Sequence, residues 1–193
     1  PMFTATTGSL VPQPITTELR VTEHPAGGFY VAFGTGKMFD IGDDADLGVQ
    51  SLYFLRDPGT GAAIARSSLK QATLANVSGG DYRSLGGLSG ASGLDWSTHK
   101  GWYVDLRVGT ADGERVIAPP VMSNGKALFT TFKPSNADPC ISGGDSYLYT
   151  IDLATGLQRE AYDTMGATVI GRQLTEGVPG GIVPLYAPPA PAA

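Results

Sequence analysis

Four carboxylates crowd into seven residues, at Asp40, Asp43, Asp44 and Asp46. Hard cations such as Ca²⁺ bind several oxygens at once, and a tight turn can aim neighbouring carboxylates at one point. These four are therefore the candidate metal ligands. The EF-hand order of Asp-x-Asn/Asp-x-Asn/Asp-Gly is absent, and so is a distal Glu. A solvated acidic loop is the competing reading, because like charges this close repel without a cation or water between them.

Other constellations are weaker. Gly34-Thr35-Gly36-Lys37 suggests a nucleotide loop, but a dinucleotide fingerprint needs glycine where Phe39 stands, and a helix after it. A glycine turn between strands is the plainer account. Gly87-Leu88-Ser89-Gly90-Ala91 nearly spells a nucleophile elbow, with Ala91 in place of the last glycine. His24 and His99 are the two available bases for such a serine. His24 precedes Pro25 at an expected turn, which favours a surface role. Trp96, Trp102 and Tyr103 beside Lys100 could form a ligand platform, although such aromatics more often fill a sheet core. No set of groups specifies catalysis, so an enzyme is not expected.

The elements that would hold these residues are strands. The chain has 27 glycines and 14 prolines in 193 residues, and 16% of its residues are charged, a mix that favours short strands and turns over long helices. Gly28 to Phe33 is apolar on both faces, as in a strand buried on both sides. Gln50 to Arg56 is a second run. Trp102, Val104 and Leu106 alternate with Tyr103, Asp105 and Arg107, a period of two. Asp112-Gly113 reads as a hairpin with Arg115 to Ala118 as its return strand. Asn124-Gly125 reads as another, joining Pro119–Met122 to Ala127–Phe132. Ser146 to Asp152 follows.

Ser51 to Gly61 (SLYFLRDPGTG) and Ser146 to Gly156 (SYLYTIDLATG) align without a gap, about 95 residues apart. Both end Asp-x-x-Thr-Gly, where Asp can cap a turn and Gly supplies a positive φ. Such a repeat predicts radially arranged four-stranded antiparallel blades, that is, part of a β-propeller. Two unrelated hairpins in a β-sandwich are the alternative.

Net charge is −5 with no Lys/Arg cluster, which argues against nucleic acid and acidic membrane surfaces as partners. No run approaches the roughly 18 apolar residues of a membrane-spanning helix. The lone cysteine, Cys140, cannot form an internal disulfide. The first residues lack the features of a signal peptide, and the chain reads as a piece of something longer. Residues 1–177 are expected to form a partial propeller of about two blades, and 178–193 a Pro/Ala-rich tail. Ser84 to Ser97 is expected to be an exposed Gly/Ser-rich loop.

Several stretches, in order, carry a family resemblance: Gln13–Thr16, HPAGGFYVAFGTGKMFDIGD (24–43), VQSLYFLRD (49–57), GWYVDL (101–106) with GERV (113–116), and 129–156 from FTTFKPSNADPC to SYLYTIDLATG. The chain resembles the C-terminal propeller of PilY/PilC-type proteins of type IV pilus assembly and adhesion. The resemblance implies an all-β, quinoprotein-like propeller without a quinone. It implies a non-catalytic module at the cell surface, at the pilus tip or outer membrane, exported through the periplasm. Its partners would be minor pilins or a host surface, with the remaining blades or another chain completing the sheet edges. The family's EF-hand-like calcium loop normally lies upstream of this segment, so the resemblance assigns no calcium ligand here; Asp40, Asp43, Asp44 and Asp46 stay an independent Ca²⁺ candidate. A propeller-based enzyme of the quinoprotein or glycan-processing kind, or a structural filament subunit, are the rival readings.

Overall fold

A computed structural model describes residues 1–89, 94–135, 143–156, 169–174 and 177–183. Among these, the ten strands are β1 (Arg20–Glu23), β2 (Phe29–Gly34), β3 (Ser51–Asp57), β4 (Lys70–Val77), β5 (Tyr82–Gly86), β6 (Gly101–Asp105), β7 (Val121–Ser123), β8 (Lys126–Ser135), β9 (Gly143–Asp152) and β10 (Val169–Gln173). They form one sheet in the order β1-β2-β3-β6-β4-β5-β10-β9-β8-β7. The two end strands come together, and Arg20 Nε donates to the Pro120 carbonyl at 2.8 Å across the seam. The sheet is thus rolled nearly into a barrel.

This differs from separate, strictly antiparallel four-stranded sheets. The sheet is continuous and mixed, because β4 runs parallel to β6 with Lys70 opposite Trp102 and Ala72 opposite Val104. Within it lie two antiparallel four-strand runs, β1-β2-β3-β6 and β7-β8-β9-β10, bridged by the β4–β5 hairpin. The two repeated segments hold matching places. Each forms an inner strand, β3 or β9, antiparallel to a neighbour on both sides. Their shared Asp-x-x-Thr-Gly ends also match. Asp57 Oδ1 accepts from Gly59 N at 2.8 Å, and Asp152 Oδ1 accepts from the equivalent Ala154 N at 3.1 Å. Gly61 and Gly156 close the turns at φ 71° and 70°.

The two runs face each other across the main core. Phe54 stacks on Trp102 at 4.0 Å between ring centres and meets the edge of Phe129 at 5.4 Å. Leu52, Val104, Ala127, Tyr149 and Ile151 fill the same interior. Alternation along β2, β3 and β6 sends Val31, Phe33, Tyr53, Leu55 and Tyr103 to the opposite face. There Ala5, Ile64 and Leu69 cover them, which makes these strands buried on both sides, as the composition of β2 predicts.

Asn124-Gly125 makes the expected two-residue hairpin, with φ of 50° and 74°. Asp112-Gly113 does not. The free edge of β6 is taken by β4, so Arg115–Ala118 cannot return along it. Arg115 instead exchanges two backbone hydrogen bonds with Phe132, and Val116 N donates to Thr35 O at 2.9 Å. Ser84–Ser97 is not all loop either, since Ser84, Leu85 and Gly86 belong to β5. No helix among the described residues is long and apolar enough to cross a membrane.

Candidate functional site

Residues 37–48 form a compact turn between β2 and β3, with Asp43–Ala45 in one 3₁₀ turn. Gly42 enters it at φ 92°, a left-handed conformation that favours glycine. Asp43 is buried. Its Oδ2 accepts the backbone N–H groups of Phe39 and Asp40 at 3.0 and 2.9 Å, and its Oδ1 meets Lys37 Nζ at 2.7 Å. The Lys37 ammonium and these N–H donors hold the Asp43 carboxyl at about 2, below the usual carboxylate range. Lys37 also reaches Asp40 Oδ2 at 2.9 Å.

From beneath, the fully buried Arg115 guanidinium gathers the carbonyls of the turn. It donates to Lys37 O at 2.9 Å, to Asp43 O at 2.7 Å and to Asp46 O, while Nε donates to Gly113 O at 2.8 Å. Asp46 Oδ1 accepts from Gly48 N at 2.8 Å. The four sequence candidates therefore share one turn whose positive charge comes from Lys37 and Arg115. Among the described residues, no three His, Cys, Asp or Glu groups converge as a metal cage.

The other sequence candidates disperse. Gly34-Thr35-Gly36 ends β2, and a Cβ on Gly34 would collide with the Val116 side chain, so the glycine serves a strand crossing. His24 is not a surface residue. It is 7% exposed and packs against Tyr30 and Trp96, at 4.4 and 5.1 Å between ring centres. Burial beside the Arg56 charge lowers its pKa. Trp96 thus belongs to an aromatic cluster, and its Nε1 donates to Ala154 O at 2.9 Å. Trp102 is core, as its alternation predicts. Ser89 is exposed, and His99 lies against Asp95 rather than near it. Gly90, Ala91 and Cys140 lie outside the described residues.

Two buried polar groups were not singled out by spacing. Glu114, 1% exposed, accepts from Thr131 Oγ1 and Tyr149 OH at 2.7 Å each, with Arg83 Nη2 at 3.6 Å from its other oxygen. Burial pushes the Glu114 carboxyl up, and burial together with Glu114 pushes the Tyr149 hydroxyl well up. Arg66 donates to Asp105 Oδ1 at 2.6 Å and lies 3.8 Å from the centre of the Tyr103 ring. The only sequence sign of either is a charge set within an apolar run, as in Gly113-Glu114-Arg115-Val116-Ile117. Glu114 is sealed behind Thr131, Tyr149 and Arg83, so no substrate atom can reach it as arranged.

With this geometry in hand, the relatives can be compared. The type IV pilus biogenesis factor PilY1 homolog of Xylella fastidiosa is 33% identical over 158 residues, covering 81% of this chain. PilY1 of Pseudomonas aeruginosa is 30% identical over 176 residues, again covering 81% of the chain. The crystal structure of the P. aeruginosa PilY1 C-terminal domain superposes with a TM-score of 0.67, over 90% of this chain at 24% identity. This is a PilY1-type chain. It spans 11% of the Xylella protein, 15% of the Pseudomonas one and 42% of the solved domain. No protein-family model matches it. The PilY1-type fold is thus all-β here, with the acidic turn at one end of β2.

Proposed function

We propose that this PilY1-type chain is a non-catalytic cell-surface module of type IV pilus biogenesis and adhesion. It works by holding loops on a rigid sheet, at the pilus tip or outer membrane. The similarity to two named pilus biogenesis factors over four-fifths of the chain carries the reading. Supporting it, the best-placed titratable groups are paired off: Asp43 with Lys37, Asp105 with Arg66, and Glu114 with Tyr149 and Arg83. Groups bonded this way stabilise a scaffold and have little freedom to transfer protons.

The two four-strand runs are blades of a larger propeller in this reading. Their matching inner strands and turn caps support that assignment. Further blades, or another chain, would then cover the edges that this segment leaves, and minor pilins or a host surface would meet its loops. In this reading calcium is not needed to shape the Asp40–Asp46 turn, since Lys37 bridges Asp40 and Asp43 and Arg115 ties the turn's carbonyls together. In-frame deletion of the segment from the parent gene tests the function. Surface pili and attachment should both fall sharply; wild-type levels of both would overturn the proposal.

A further inference from the structure

His24 joins three segments at one end of the sheet: its own β1–β2 turn, residues 94–100 and the turn after β9. Its ring packs on Tyr30 and Trp96, and Trp96 Nε1 donates to Ala154 O at 2.9 Å. Leu94 and Trp96 pack on the main core here. The corner is therefore a clasp between the β1–β2 turn of one four-strand run and the β9 turn of the other. The bonding of the imidazole suits only its neutral form. Ala26 N donates to Nδ1 at 3.0 Å, so Nδ1 is an acceptor and the ring proton sits on Nε2. That Nε2 is buried without a hydrogen-bond partner. A second ring proton would have to sit on Nδ1, where the Ala26 N–H points.

The charged groups nearby do not offset this. On β3, Arg56 donates to Ala26 O at 2.8 Å, which brings a cation to the same turn. Asp57 on β3 and Asp152 on β9 cap their own turns, and Asp95 accepts from Ser97 N and Oγ. Tyr30 on β2 stays a neutral phenol, its pKa raised by burial and by Asp152. His99 lies against Asp95, and Glu23 and Lys100 are exposed. Among the described residues, no carboxylate bonds to His24. We propose that His24 is an acid-released clasp: its protonation expels the ring, frees Trp96 from Ala154 and opens this corner while the sheet stays folded. The stack of Phe54, Trp102 and Phe129 holds the sheet without any titratable side chain. Burial, then Arg56, keeps the His24 pKa below the ordinary 6.5. Its contribution to the closed corner is thus complete above pH 6.5 and is lost as pH falls through the lowered value. This goes beyond the pilus reading and stands without it.

The test is a pH titration of the ¹⁵N-labelled chain by NMR, from about pH 7.5 to 5. It follows the His24 ring protons, the Trp96 indole N–H and the backbone amides of Leu52 and Phe54. His24 should titrate below 6.5, and the Trp96 indole signal should move towards the free-indole position with the same midpoint. The Leu52 and Phe54 amides should hold their positions. His24→Asn keeps an acceptor for Ala26 N–H and His24→Phe keeps a ring against Trp96, but neither titrates, so the Trp96 response should vanish in both. His99→Gln should retain it. The wild-type titration decides the matter even if a variant fails to fold. A Trp96 signal that stays fixed while His24 titrates, a His24 midpoint at or above 6.5, β3 amides that collapse together with Trp96, or an undiminished response in a folded His24 variant would each overturn the proposal.

Discussion

Arg115 and Asp43 show how single side chains settle what a cluster of carboxylates becomes. A guanidinium presents donors in a fixed planar fork, which suits several carbonyls converging from one turn. Arg115 does this beneath residues 37–46, where a cation would otherwise be needed. Asp43 contributes from above. Its folded carboxyl sits at about 2, below the ordinary value of 3.8, so its stabilisation is complete above pH 4 and is lost as pH falls towards 2. The stability gap between the native chain and Asp43→Asn should therefore narrow between pH 4 and pH 2 in urea titrations. A gap that stays constant through that window would show that Asp43 is not held by Lys37 as a charge. Glu114 gives a second test at this scale. Arg83→Met leaves that carboxylate buried without its cation, and should cost about 3–5 kcal/mol in urea unfolding. Adding Glu114→Gln should recover part of the loss, because the uncompensated charge is then gone; no recovery would contradict the pairing.

Among the elements, the inner strands were the most legible. β2, β3 and β9 stand out as aromatic and apolar runs and β6 as a period of two, and the structure places them close to the expected bounds. The Asn124-Gly125 hairpin and the two Asp-capped turns follow from local chemistry alone. β4 was not legible, because its inward residues are only Ala72 and Leu74 amid Lys, Gln, Thr and Asn. That silence had a consequence: β4 takes the edge of β6, and so displaces the hairpin expected at Asp112-Gly113. The acidic turn was found, but its partners were not, since Arg115 lies 69 residues from Asp46 and long-range pairing leaves no local signal. His24 was misread for the same reason: only the fold brings Trp96 and Tyr30 against it. At this scale the prediction concerns the stack between the runs. Trp102 is fully buried on Phe54, so Trp102→Ala should lower stability by about 3–5 kcal/mol. A loss below about 1 kcal/mol would mean that the two runs do not share that core.

For the whole molecule, the rolled sheet makes a single stiff body with its turns at the strand ends. A ligand that binds the folded state raises the melting temperature by mass action. With Lys37 and Arg115 already in place, millimolar Ca²⁺ or a chelator should shift the melting temperature by less than about 1 °C. A saturable rise with Ca²⁺, abolished by Asp44→Asn, would assign the acidic turn a metal after all.

The central claim is that the scaffold, and no chemistry within it, serves pilus biogenesis. The yield of surface pili in cells lacking the parent gene, complemented with two altered alleles, tests it most directly. The core allele Trp102→Ala should fail to restore pili, whereas Asp44→Asn combined with His99→Gln, which removes two titratable groups outside the core, should restore the wild-type yield. Full piliation from the first allele, or none from the second while its protein is folded and on the cell surface, would contradict the account.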